Sequence, residues 1–114
     1  MIEGIEYKRW LGYLREFNHR NRWRSTWLTV FNNLGRQETE SGMALVGISL
    51  DVGREDYPCI HIMLDGHDPQ EPKQQTYTIS GVRGVRLKSG RDGQDEALEI
   101  EDEQGEKNLP RILG

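Results

Sequence analysis

Cysteine, proline and long apolar runs are all scarce in this sequence. Its 114 residues include one cysteine, Cys59, which excludes an intramolecular disulfide and is typical of a reducing compartment. The longest run of apolar residues and glycine, GMALVGI at 42–48, is far shorter than a membrane span. The first segment, MIEGIEYKRW, has acids where a signal peptide has basic residues. We therefore expect a soluble cytoplasmic protein with no membrane partner.

The residues that are present favour a packed, mainly β domain. Nine aromatic residues and several short apolar runs are more than a disordered chain carries. Thirteen glycines are many for this length, and many of them fall between these runs, as expected for tight turns. The length fits one domain over residues 1–114.

One amphipathic helix is predicted over residues 5–18. Asn18 and Asn21 are candidates for its C-terminal end, because asparagine tolerates a left-handed backbone. Apolar residues recur there at intervals of three and four, which places them on one helical face: Ile5, Tyr7, Trp10, Leu11, Leu14 and Phe17.

From Trp23 onward the pattern has the period of β-strands. A polar loop is predicted at 32–42, and Pro110 should confine the last strand to an edge or a bulge. The fold class is α+β: one N-terminal helix packed on a mainly antiparallel six- to seven-stranded sheet or partly open barrel. The strands are predicted at 23–31, 43–50, 59–64, 75–80, 82–88, 97–101 and 107–113.

Several short segments match a known pattern. They are WLxYLxxF from Trp10 to Phe17, the tryptophan at 23, LVGIS at 45–49, and ALEIEDEQG followed by LPRIL near the C-terminus. In these segments the chain resembles a family of small bacterial proteins known only as a domain of unknown function. The resemblance implies a shared α+β fold and implies no activity, cofactor or site residue.

A basic and aromatic stretch, HRNRWRSTW at 19–27, is the first candidate site. Seven lysines and arginines against one glutamate give residues 8–36 a net charge of +6. Such interleaving is typical of single-stranded nucleic-acid binding, in which aromatic rings stack on bases. In the alternative interpretation, which we prefer, Trp23 and Trp27 lie on one strand face in the core and the arginines solvate the helix end. The candidate binding residues are Arg20, Arg22, Arg24 and Arg36.

An acidic segment offsets this charge. Residues 92–106 contain eight acids and no base. We expect a solvated hairpin, although these acids could also meet the arginines within the molecule or across a symmetric dimer. Glu99 and Glu101 share one strand face, and that face lacks the apolar pocket that an acid catalyst needs.

A third group of candidates lies around Cys59. Cys59 and His61 share a strand face, and His67, Asp65 or Asp68 could complete a metal or small-molecule site. The spacing matches no structural zinc motif, and a cysteine between Pro58 and Ile60 is more typical of a small buried residue. No oxyanion donor accompanies a Cys59–His61 nucleophile pair.

These patterns predict a non-catalytic module that requires no cofactor and that binds a protein partner or forms a homodimer. The first alternative is single-stranded nucleic-acid binding through residues 20–27. The second is metal or small-molecule binding near Cys59, His61 and His67. The acidic charge of the chain, −4, disfavours nucleic acid.

Overall fold

The computed structural model describes residues 2–32, 35–52, 58–66, 74–89 and 95–112, and the side chains at 2–3, 36–41 and 95–96 lie outside that description. A short 3-10 helix, Tyr7–Arg9, leads into the α-helix. The elements are β1 (Ile2–Ile5), α1 (Trp10–Asn21), β2 (Ser25–Asn32), β3 (Gly35–Asp51), β4 (Cys59–Asp65), β5 (Gln74–Ile79), β6 (Val82–Ser89), β7 (Asp95–Asp102) and β8 (Lys107–Ile112).

The eight strands form one antiparallel sheet in the order β1-β6-β7-β8-β2-β3-β4-β5. The sheet is not closed, and β1 and β5 lie at its ends. The α+β class with one helix on an antiparallel sheet is confirmed, and β2 is central. The strands number eight rather than the predicted six or seven, because β1 forms over residues that had no predicted strand and of which only Ile5 was assigned to the helix.

The first residues differ from the prediction for a reason visible in the pairing. Ile5 pairs with Val85 of β6 and is buried in the core. Its apolar side chain therefore belongs to the core-facing side of a strand and not to the apolar face of the helix. The Nε1–H of Trp10 donates a hydrogen bond of 2.8 Å to the Ile5 carbonyl, which joins the strand to the helix. The helix therefore begins five residues later than predicted and buries Trp10, Leu14 and Phe17.

Residues 32–42 were predicted as a loop, yet most of them belong to β3. They are polar, but they pair with β2 from Leu28 to Asn32. Hydrogen bonding along the backbone, rather than an apolar face, holds this part of the strand in the sheet.

The helix packs on β3 and also completes its main-chain hydrogen bonding. Pairing of β2 with β3 covers Gly35–Ala44, and beyond it Asn18 of α1 takes the place of a strand. The Asn18 side chain donates to the Ile48 carbonyl at 2.8 Å and accepts from the Ile48 N–H at 2.7 Å. These two bonds fix α1 against the sheet.

Two strands of the sheet have local irregularities. A bulge lies in β6, where the β6–β7 register shifts between Val82 and Gly84. The prediction that Pro110 confines the last strand to an edge or a bulge is wrong, because β8 lies between β7 and β2 and neither of its pairings has a register shift. The β7–β8 pairs fall on either side of the proline, so its missing N–H interrupts the pairing there. Within the described residues, no helix is long and apolar enough to span a membrane.

Candidate functional site

The segment at 19–24, which we call the basic turn, reverses the chain from α1 into β2. Arg22 has φ −57° and ψ 134°, and Trp23 has φ 69°. The Arg24 N–H donates to the Asn21 carbonyl at 3.1 Å and closes the turn. These features define a type II β-turn with Trp23 at the position that requires a positive φ.

Trp23 is an unusual residue for that position. Glycine or asparagine is the common choice, and a bulky residue with positive φ is an outlier. The Trp23 N–H donates to the Leu45 carbonyl at 2.6 Å, so the turn is fixed to β3 through its backbone. The side chain is 61% exposed. The local fold therefore holds an indole outward at the cost of backbone strain.

Arginines flank this indole. Arg20 and Arg22 are exposed, and Arg24 is half-buried. Arg24 donates to the side-chain oxygen of Asn21 at 3.0 Å, and Asn21 is fully buried. Arg20 lies in the last turn of α1, where a cation stabilises a helix by about 0.3–1 kcal/mol. Helix stability gives a reason for Arg20, whereas it gives none for the exposed indole of Trp23.

The prediction that both tryptophans lie in the core is therefore wrong. Thr26 and Leu28 are the buried residues at the start of β2. Trp27 alternates with them on the opposite face of the strand, where it is half-buried across from Arg111. The turn at Trp23 takes that residue out of the strand period altogether. The side chain of Arg36 lies outside the described residues.

Two of the described acids at 92–106, Glu99 and Glu101, have cationic partners on β6 and β8. Glu99 is 5% exposed and has three cations around it: Arg86 at 3.0 Å, Lys88 at 3.6 Å and Lys107 at 3.8 Å. Arg86 also contacts Glu101 at 3.0 Å. The expectation of a wholly solvated hairpin is therefore wrong for Glu99.

This network does not resemble an acid catalyst. The hydrogen bond from Arg86 lowers the pKa of Glu101, whereas a general acid needs a raised one. The network depends on strand register, which the sequence pattern did not predict. Arg86 and Glu99 are register partners on adjacent strands, and opposite charges in that relation stabilise a sheet.

The acidic hairpin ends in a hydrogen-bonded turn. The Asp102 carboxylate accepts the backbone N–H groups of Gln104 and Glu106, both at 2.9 Å. Glu103 at the tip is exposed. This part of the segment has the solvated character that the sequence predicted.

Cys59 and His61 share a face of β4, as predicted, and both are half-buried rather than buried. The Cys59 thiol lies 3.8 Å from the Ser80 hydroxyl. His61 contacts the Thr78 hydroxyl at 3.0 Å through Nδ1 and lies 4.0 Å from the Asp51 carboxylate. Among the described residues, no three of histidine, cysteine, aspartate and glutamate are placed to hold a metal. His67 and Asp68 lie outside the described residues.

No family model, curated protein or solved structure matches the chain. The family resemblance noted in the sequence stays a prediction. A function has to rest on the geometry of the basic turn and its surroundings.

Proposed function

We propose that this protein is a non-catalytic interaction module that binds an acidic surface of a partner protein through the basic turn. The observation that supports this function is the exposed indole of Trp23 at a turn position that favours glycine. Tryptophan and arginine are, with tyrosine, the residue types most enriched among the residues that dominate protein–protein binding energy. Both types occur together in the basic turn.

Folding stability gives no reason for a tryptophan at this position. A left-handed backbone costs an L-residue about 1–2 kcal/mol, and glycine would avoid that cost. The indole also buries little apolar surface on folding, since 61% of Trp23 stays exposed. A residue that strains the backbone and points into solvent is better explained by contact with another molecule.

The chemistry of the turn specifies the partner. Arg22 and Arg24 are the sequence neighbours of Trp23; Arg22 is exposed, and the guanidinium of Arg24 is held by a hydrogen bond to buried Asn21. Guanidinium groups bind carboxylates through paired hydrogen bonds. The complementary surface on the partner is an apolar slot bordered by aspartates or glutamates.

The proposed compartment is the cytoplasm, since a single free cysteine is typical of a reducing environment.

Site-specific photo-crosslinking tests this proposal. Replacing Trp23 by p-benzoylphenylalanine in the full chain should give a discrete crosslinked protein in cells. The matched control has the same replacement at Leu11, which is 51% exposed on α1. A band at position 23 with no counterpart at position 11 supports the proposal. Equal patterns at both positions, or no band at 23, would contradict it.

Self-association is a separate outcome of this experiment. A crosslink between two copies would double the mass of the band and would identify a second copy as the partner. In such a dimer, the basic turn of one copy would bind an acidic surface of the other, and the exposed Glu103 on the β7–β8 turn belongs to such a surface. Sedimentation of the purified protein at low and high salt then shows whether the dimer dissociates as charge is screened.

Single-stranded nucleic acid is the second candidate, because an exposed aromatic ring beside arginines can also stack on a base. This candidate predicts affinity for short RNA or DNA oligomers that falls steeply with salt concentration. Fluorescence anisotropy at low salt measures it directly. Binding that is lost in Arg22→Glu would favour nucleic acid, and absence of binding at low salt removes this candidate.

A further inference from the structure

A pocket of about 550 Å³ lies at the opposite end of α1 from the basic turn. It opens between β1, β6 and the residue that leads into β4, and its volume is within the range of small-molecule sites. None of the sequence patterns pointed to it. The residues that define its chemistry are Gly4, Tyr7, Trp10, Arg83, Gly84 and Arg86.

Two glycines on neighbouring strands form part of the pocket wall. Gly4 belongs to β1 and Gly84 to β6, and neither has the positive φ that would require glycine. A Cβ atom at Gly4 would meet nothing within 4 Å, and at Gly84 its nearest neighbour would be Arg86 Nη2 at 3.8 Å. Glycine weakens a strand, and within one it often marks a bulge or a place where a ligand approaches the backbone closely. Gly84 adjoins the β6 bulge, whereas Gly4 pairs with Arg86 in regular register, so no bulge explains the glycine at position 4. The bare backbone here offers a flat surface to a planar ring.

Aromatic side chains line another part of the pocket. Tyr7 is 57% exposed, and its ring lies edge-on to that of Trp10, with the centroids 4.9 Å apart. Trp10 is 3% exposed, and its hydrogen bond to Ile5 fixes its orientation. A rigid indole therefore supports a tyrosine ring that can contact a planar ligand.

The charged groups on the pocket wall are both arginines, and no acid belongs to the described lining. Arg83 is exposed and sits at the β6 bulge, and bulges redirect side chains. Arg86 gives two Nη1 hydrogen bonds to Glu99 and Glu101, which hold its guanidinium in place. Because a guanidinium has five N–H donors, three remain beyond those two bonds.

We infer that this pocket binds a planar aromatic carboxylate. The ring lies on the backbone at Gly4 and Gly84 beside Tyr7, and the carboxylate is bound by Arg83 with support from Arg86. This site is independent of the basic turn, since the twelve residues of α1 separate the two places. It would give the module a small-molecule ligand in addition to a protein partner.

Nuclear magnetic resonance titration with 2-naphthoate tests the inference on the full chain. The backbone amides of Gly4 and Gly84 and the indole N–H of Trp10 should shift with saturation. The neutral analogue 2-naphthamide, which has the same ring and no charge, should bind at least about tenfold more weakly, as expected for loss of a charge-assisted hydrogen bond. Cyclohexanecarboxylate, which has the charge without the aromatic ring, should also bind more weakly.

Substitutions in the pocket show which residues the binding of naphthoate depends on. Arg83→Met should reduce the affinity for naphthoate to that for naphthamide, and Gly4→Val should block both by filling the open space. Gly84→Val serves the same purpose if the Gly4 variant does not fold. Arg22→Met, which changes a cation of the basic turn, should leave the titration unchanged.

Three results would overturn the inference: equal affinity for naphthoate and naphthamide, shifts centred on the basic turn, or no shift at Gly4 and Gly84 with millimolar naphthoate. Crosslinking at Trp23 is unaffected by any of them, so failure here is distinct from failure of the proposed function.

Discussion

Substitution of Trp23 separates its role in folding from its role in binding. The comparison is between Trp23→Ala and Trp23→Gly, which remove the same indole. Alanine keeps the left-handed strain of about 1–2 kcal/mol at φ 69°, whereas glycine does not. Glycine loses about 0.5–1 kcal/mol through its greater freedom in the unfolded chain. The glycine variant should therefore be more stable than the alanine variant by about 0.5–1 kcal/mol.

Urea unfolding measures this difference from the midpoints, provided that both variants have the same slope. Leu11 is the matched control, because it is 51% exposed and lies within α1. There the order should reverse, with alanine more stable than glycine by about 1 kcal/mol. If alanine is as stable as glycine at position 23, the turn does not impose the strain that we describe.

Three other substitutions test the packing and the charges of the sheet. Asn18→Ala should destabilise the fold by about 2 kcal/mol, because both main-chain groups of Ile48 lose their partner; urea unfolding and hydrogen exchange at the Ile48 amide measure this. Thr29→Val should be neutral or stabilising by about 1 kcal/mol, because the buried Thr29 hydroxyl has no hydrogen-bond partner among the described residues. In the control, Thr26→Val should destabilise, because the Thr26 hydroxyl donates to a backbone carbonyl. Glu101→Gln should flatten the loss of stability in acid, measured by urea unfolding from pH 7 to pH 2.

The sign of the last prediction follows from the pKa of Glu101. Its hydrogen bond with Arg86 lowers the pKa in the folded protein below the unfolded value of about 4.5. The stabilisation is therefore complete above pH 4.5 and disappears as the pH falls through the folded pKa. An equal acid dependence in the wild type and the glutamine variant would contradict this account.

Periodicity in the sequence predicted most of the sheet. The segments assigned to β2 and β4–β8 agree with the observed strands to within two residues at their ends. Their apolar and polar residues alternate, and glycine or proline separates them, so local pattern and tertiary structure agree. The pattern failed where polar residues form strands through backbone pairing alone, as in the first part of β3.

The site was harder to predict for a local reason. The interpretation of Trp23 as a core residue assumed that the strand period begins at that residue. The left-handed backbone of Trp23 in the turn breaks this period, so the side chain is exposed where the period predicted burial. Glycine or asparagine usually signals such a position, and tryptophan gives no such signal. The pocket was missed because its residues come from distant segments that the topology brings together.

The affinity of the crosslinked partner for the wild type and for Trp23→Gly is the most direct measurement of the central claim. Loss of a dominant tryptophan contact costs at least about 2 kcal/mol, so the Kd should rise by about 30-fold or more. The same variant should unfold at nearly the same urea concentration as the wild type, because relief of strain offsets the lost contacts of a mostly exposed side chain. An unchanged Kd with the same partner would show that Trp23 is not the binding residue.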